Sequence, residues 1–198
     1  MPSKRPGTDA EGRRTLVLEG LGPVHFVKNR RARRLSVSVR ASRGVRVAVP
    51  WRVSFEEASR LTLTKASWAR RTRARIERAR ERCREAVLAA ERLDRRKARA
   101  HLSGRMAALA AEHGFSVRRL SVRNQGTLWG SASVAGGIQL NAVLAVLPED
   151  LADYVILHEL VHLRHKGHGP GFWGELERLM PDARRRQARL REYSLALF

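Results

Sequence analysis

The 198 residues include a single cysteine, Cys83. One thiol excludes an internal disulfide framework and any cysteine-based zinc knuckle, and it fits a reducing, cytoplasmic setting. Aromatic residues make up only 6%, and none falls among the basic residues of 70–99, so that stretch lacks the stacking platform of a single-strand binder. No apolar run approaches the ~20 residues of a membrane helix. Residues 1–14 have no apolar core of the kind a secretory signal needs, so neither a membrane span nor a leader is expected. A glycine-rich phosphate loop is missing as well: Gly20-Leu21-Gly22 lies between strands with no helix after it. Acidic residues are scarce, 19 against 40 basic, for a formal charge of +21. Such a surface attracts polyanions. Its arginine and alanine richness is also what GC-rich coding produces, so the charge supports non-specific nucleic-acid contact through basic helices and nothing more specific.

The rest is an ordinary globular composition, 43% hydrophobic and 30% charged, with room for one domain or two small ones. Residues 1–14, with Pro2, Pro6, Gly7 and Gly12, read as a disordered tail. Residues 15–52 alternate apolar with polar or basic side chains in four runs (Thr15–Leu18, Val24–Val27, Leu35–Val39, Val45–Val49), which predicts an antiparallel β-meander with one wet face. Ser54, with Glu57 three residues on, has the spacing of a capping box. A long basic helix to about Arg99 is predicted, followed by a second helix to His113 that Gly114 ends; residues 53–113 form a helical segment. Residues 114–198 read as three short strands (Ser116–Arg123, Leu128–Ser133, Gly137–Asn141) and three helices. The first of these helices opens at Pro148-Glu149-Asp150 and runs to Gly167. The fold class is α+β, with all segments after the tail forming one compact unit.

That helix carries the sequence His158-Glu159-Leu160-Val161-His162. Residues four apart on a helix differ by about 40° in azimuth and about 6 Å in rise, so both imidazoles leave one face and can hold one metal ion. Glu159 is one residue round, placed to act on a metal-activated water as general base. Apolar Val155, Leu157, Leu160, Val161 and Leu163 would bury the helix and hold the histidines rigid. A catalytic zinc takes three protein ligands and keeps one position open. His168, just past Gly167, is the leading third ligand if that glycine turns the chain back; Glu175 and Glu177 are the rivals. His165 suits the helix C-terminus as a charge.

The stretch from Asp153 through Leu163, followed by His168, Pro170 and Phe172-Trp173, resembles the YgjP-like metal-dependent hydrolases, relatives of the SprT-like and Wss-type zincin metallopeptidases. Trp129-Gly130-Ser131, Ser133, Gly137, Ile138, Leu140 and Asn141 resemble the family's Arg-Trp-Gly-Ser-Cys-Ser segment and following strand. Arg33-Arg34-Leu35-Ser36, Val45–Pro50 and Trp68 are similar to its N-terminal strands and first helix. The resemblance covers nearly the whole chain after residue 14. It implies a zincin-like core whose HExxH helix packs on a small sheet, one Zn2+ ion held by His158, His162 and His168, and Glu159 as the catalytic residue. Leu128, Ala132 and Gly169 depart from the family's arginine, cysteine and serine; losing the arginine puts in doubt an anion contact near the site.

Trp129, Gly130 and Ser131 have two readings, as a cleft wall that touches substrate or as a turn with a core tryptophan. Gly137–Asn141, ending on Asn141, is either an edge strand that receives an extended peptide or an internal strand. Phe172 and Trp173 read as core. The function expected is a zinc-dependent hydrolase of metallopeptidase type acting on peptide or protein. A nucleoside triphosphate pyrophosphohydrolase, favoured by the arginine excess, is one alternative; a nucleic-acid-associated protein with a structural metal is another.

Overall fold

In a computed structural model that describes residues 12–198, the four alternating runs near the N-terminus pair into one sheet. They are β1 (Arg13–Leu18), β2 (Gly22–Asn29), β3 (Ser36–Arg40) and β4 (Gly44–Pro50). The tail read over residues 1–14 lies outside the described residues as far as residue 11; Arg13 and Arg14 already belong to β1. The sheet is not the antiparallel meander that the alternation predicts. Its order is β1-β2-β4-β3: β1 with β2 and β3 with β4 are antiparallel, but β2 and β4 run parallel at the centre. Burial explains this order. The strands with the most apolar inward positions, β2 (Val24, Phe26) and β4 (Val45, Val47, Val49), take the two protected places, and the more polar β1 and β3 take the edges. The opposite face is wet, with Thr15, His25, Arg46 and Ser38 in register across all four strands.

The long basic helix is also corrected. It is three helices, α1 (Phe55–Leu63), α2 (Ala66–Arg82) and α3 (Arg84–Glu91). The Ser54 hydroxyl accepts from the Glu57 N–H at 3.0 Å and starts α1 as read. Breaks follow at Thr64-Lys65, at the buried Cys83 and at residues 92–94. At the last, the Asp94 carboxylate accepts from the N–H groups of Arg96 and Lys97 and begins α4 (Arg95–Glu112). A short acid side chain that caps a new helix is what stops the old one.

The described chain divides into two compact units, one of residues up to Arg82 together with Leu195–Phe198, the other Cys83–Ser194. In the first, the sheet's buried face packs on Ala58 of α1 and Ala69 of α2. The second holds α3, α4, a three-stranded sheet, a 3-10 turn (Ala142–Val146) and three further helices. Its strands are β5 (Arg119–Arg123), β6 (Gly130–Ala132) and β7 (Gly137–Asn141), ordered β5-β7-β6, with β7 parallel to β5 and antiparallel to β6. The strand that ends on Asn141 is therefore internal, and β6 is an edge. Gly114 ends α4 in the left-handed region, φ 66°, as the sequence leads one to expect.

The helix α5 (Glu149–Val161) has ten buried residues among its thirteen, which is the signature of a helix enclosed on all sides. Helix α5 packs on α4 and α6 (Pro170–Leu179), and Leu151, Ile156, Leu157 and Leu160 of α5, Leu102 and Met106 of α4, and Phe172 and Leu176 of α6 are all buried. Arg105 of α4 grips Asp153 with two parallel bonds of 2.6 Å, Nε to Oδ1 and Nη2 to Oδ2. Helix α7 (Ala183–Leu197) closes the chain. No described helix is long and apolar enough to cross a membrane.

Candidate metal centre

The rigid frame of α5 presents His158 and Glu159 from its last turn and His162 from its C-cap. The helix does not run on to Gly167. Leu163 and Arg164 N–H groups bond back three residues, to Leu160 and Val161, and tighten the chain into a turn. Gly167 is not among the left-handed glycines, so the chain returns through a turn at 162–164 and bends at 166–169 without a left-handed glycine. It still returns His168 to the helix. His168 Nε2 lies 3.0 Å from His158 Nε2 and 3.1 Å from His162 Nε2. Among the described residues, these three histidines are the group whose ligand atoms converge, all within 4.8 Å.

Three imidazole nitrogens at this spacing fit one cation. Zinc–nitrogen bonds of ~2.05 Å in a tetrahedron put ligand atoms about 3.3 Å apart. The rings are held in place by their neighbours. Phe172, buried to 1% exposure, forms a floor under all three, at ring-centre distances of 4.8, 4.6 and 4.7 Å from His158, His162 and His168. His162 Nδ1 donates to the His165 carbonyl at 2.9 Å, which leaves its Nε2 lone pair free. The Tyr154 hydroxyl stands 3.5 Å from His158 Nδ1. Burial, with the neighbouring histidines behind it, holds His158 down to about 3 and also lowers His168. Neutral imidazole is the ligating form.

Neither rival carboxylate joins the cluster. Glu175 is gripped by Arg164 and bonds His165 Nε2 at 2.8 Å, while Arg164 also donates to the Gly114 carbonyl at 2.8 Å. Glu177 accepts from Arg184 at 2.7 Å. His165 thus serves the loop through Glu175 rather than standing alone as a helix-end charge. Trp173 lies under the Arg184 guanidinium, 3.6 Å from the ring centre.

Glu159 is only 6% exposed, and burial pushes its carboxyl up to about 7. Its side chain lies against Gly130, where an added Cβ would come within 2.8 Å of Glu159 Cγ and 2.9 Å of Oε1. Trp129 and Gly130 line a cavity of about 300 Å³ whose wall includes His158 and Glu159. Ser131 and Asn141 do not reach it. Ser131 is exposed on β6. Asn141, fully buried, donates to the carbonyls of Gln125 and Leu128 at 2.8 Å each and accepts from the Val143 N–H, so it clasps the loop that carries Trp129. The Trp129 indole donates to Ser194 Oγ at 2.7 Å. The far wall, Gln187, Leu190 and Arg191 of α7, is absent from the sequence reading; a basic helix with no motif carries no mark of the face it turns inward.

Residues 80–193, more than half of the chain, match the YgjP-like metallopeptidase domain. The chain belongs to the YgjP-like family. As a YgjP-like protein it is a metal-dependent hydrolase. The matched span contains the whole histidine cluster and every lining residue of the cavity but Ser194; the N-terminal likeness at Arg33–Ser36 and Val45–Pro50 falls outside it. No curated protein matches the chain. Two solved structures align with part of it. One is the metallopeptidase zymogen abylysin of Pyrococcus abyssi, with 23% identity over 45% of this chain and 90% of that one and a TM-score of 0.41. The other is the metallopeptidase zymogen jannalysin of Methanocaldococcus jannaschii, with 20% identity over 51% and 97% and a TM-score of 0.38.

Proposed function

We propose that this YgjP-like protein is a zinc-dependent peptidase of zincin type, in which His158, His162 and His168 hold one zinc ion and Glu159 is the general base. The observation that carries this reading is the convergence of three imidazoles, with nitrogens 3.0 and 3.1 Å apart along two edges, beside a buried carboxylate. Three nitrogen ligands, with no fourth donor in the group among the described residues, are the donor set of a hydrolytic rather than a structural zinc. Bound there, zinc supplies a Lewis acid and brings a water's pKa toward ~7. Glu159 takes the proton of the attacking water and passes it to the leaving nitrogen. Its elevated pKa suits the second task, and its carboxylate would be favoured for the first with a cation held by the three histidines. The free side of β6, which runs from Gly130, supports an extended peptide as the occupant, added to the sheet as another strand.

The test is hydrolysis of a denatured protein by zinc-loaded wild type and by Glu159→Gln. The variant is expected to keep its zinc and lose activity by at least about 100-fold. A fully active variant contradicts the mechanism. Pyrophosphate release from nucleoside triphosphates without peptide cleavage moves the site to the nucleotide chemistry that the arginine excess suggests.

A further inference from the structure

The cavity beside Glu159 has an unusual lining. Trp129, Tyr154, Val155 and Leu190 make it largely apolar, and Arg191 brings a cation to its α7 wall. Three of the other four arginines on that helix are engaged, Arg184 with Glu177, Arg186 with Asp182 at 2.8 Å and Arg189 with Asp150 at 2.5 Å, and the fourth, Arg185, does not line the cavity. No acid among the described residues lies in ion-pair distance of Arg191. Burial raises the Tyr154 hydroxyl, and Arg184 and then Arg191 pull it back; Arg191, unlike Arg184, lines the cavity wall with Tyr154, His158 and Glu159. An unmatched guanidinium at the rim of an apolar pocket recognises a planar anion, which it can grip with two parallel hydrogen bonds. A volume of about 300 Å³ is at the small end of ligand sites and fits one residue of a substrate rather than a large ligand. One guanidinium matches one carboxylate; a triphosphate needs several cations.

We infer that Arg191 makes this cavity a specificity pocket for a carboxylate on the residue flanking the scissile bond, so that the preferred substrates are peptides with an acidic side chain or a free C-terminus at that position. The inference deepens the peptidase reading and rests on it.

The test uses the zinc-loaded full chain and matched peptides that carry Glu, Gln or Lys at each position around one cleavable bond, each with a free or an amidated C-terminus. At one position, wild type is expected to cleave the Glu peptide at least about tenfold faster in kcat/KM than the Gln peptide, mainly through KM. A free-terminus preference that amidation abolishes instead identifies the C-terminal carboxylate as the source. Arg191→Ala should bring the ratio to about one, Arg191→Glu should favour Lys, and Arg191→Lys should retain part of the preference. Equal cleavage of charged and neutral peptides by wild type, or a preference that survives Arg191→Ala, overturns the inference. Where wild type cleaves no peptide, the peptidase reading fails, and calorimetric titration with the Glu and Gln peptides decides this one separately. Tighter Glu binding that is lost in Arg191→Ala upholds the pocket, and equal or absent binding overturns it.

Discussion

At the residue scale, the site depends on a side chain that is not there. Gly130 has no Cβ, and the space a Cβ would take is filled by Glu159 Cγ, Cδ and Oε1 at 2.8 to 3.0 Å. The tryptophan-glycine-serine motif is visible in the sequence, but the reason for its glycine is not, because Glu159 is 29 positions away and only the packing of β6 against α5 brings the two together. Gly130→Ala should push the carboxylate from its place. Activity is expected to fall at least about 100-fold and stability by about 1–3 kcal/mol, with zinc content unchanged. Steady-state kinetics beside metal analysis checks this, and an active Gly130→Ala enzyme would show that Glu159 needs no fixed seat. Asn141 makes the opposite point. It is conspicuous in the sequence beside the motif, yet its amide and carbonyl serve the backbone at Gln125, Leu128 and Val143, so its contribution runs through the loop it holds.

At the element scale, α5 is the most legible part of the chain. An apolar run bounded by a proline-acid start and carrying histidines four apart leaves little choice of structure. Less legible are the pairings. A period of two announces a strand but does not say which neighbour it takes, so the parallel contact of β2 with β4 and the central place of β7 emerge only from competition for buried positions. The ends of helices are similarly open: His162 bonding the His165 carbonyl closes the turn that a glycine was expected to make. Beside the apolar contact of α5 with α4 stands the Arg105–Asp153 pair, with Asp153 at 9% exposure and the Arg105 side chain a third exposed. The two halves should therefore not be equivalent. Arg105→Ala strands a buried carboxylate and is expected to destabilise by about 2–4 kcal/mol, while Asp153→Ala leaves a guanidinium that can still reach water and should cost about 1–2 kcal/mol. Urea denaturation of both variants measures the difference; the reverse order would mean that Asp153, not Arg105, is the better solvated partner.

At the scale of the whole molecule, the family match begins at residue 80 and the site-bearing unit at Cys83, so the chemistry resides in the C-terminal unit. The N-terminal unit brings its own small basic cavity, between Arg13, His25, Arg43 and Arg46 on the wet face of its sheet. The histidine cluster was readable because ligand spacing on a helix is a local property. The cavity wall from α7 was not, since Gln187, Leu190 and Arg191 become neighbours of Glu159 only when the last helix folds back. Everything proposed about catalysis depends on the three imidazoles acting together on one ion. The most direct measurement is the zinc content of the purified chain, by mass spectrometry after exhaustive buffer exchange, for wild type and for His158→Ala, His162→Ala and His168→Ala. About one zinc per chain in wild type, falling below about a tenth in each variant, is the predicted result. Full zinc in His168→Ala, or none in wild type supplied with the metal, would contradict the account.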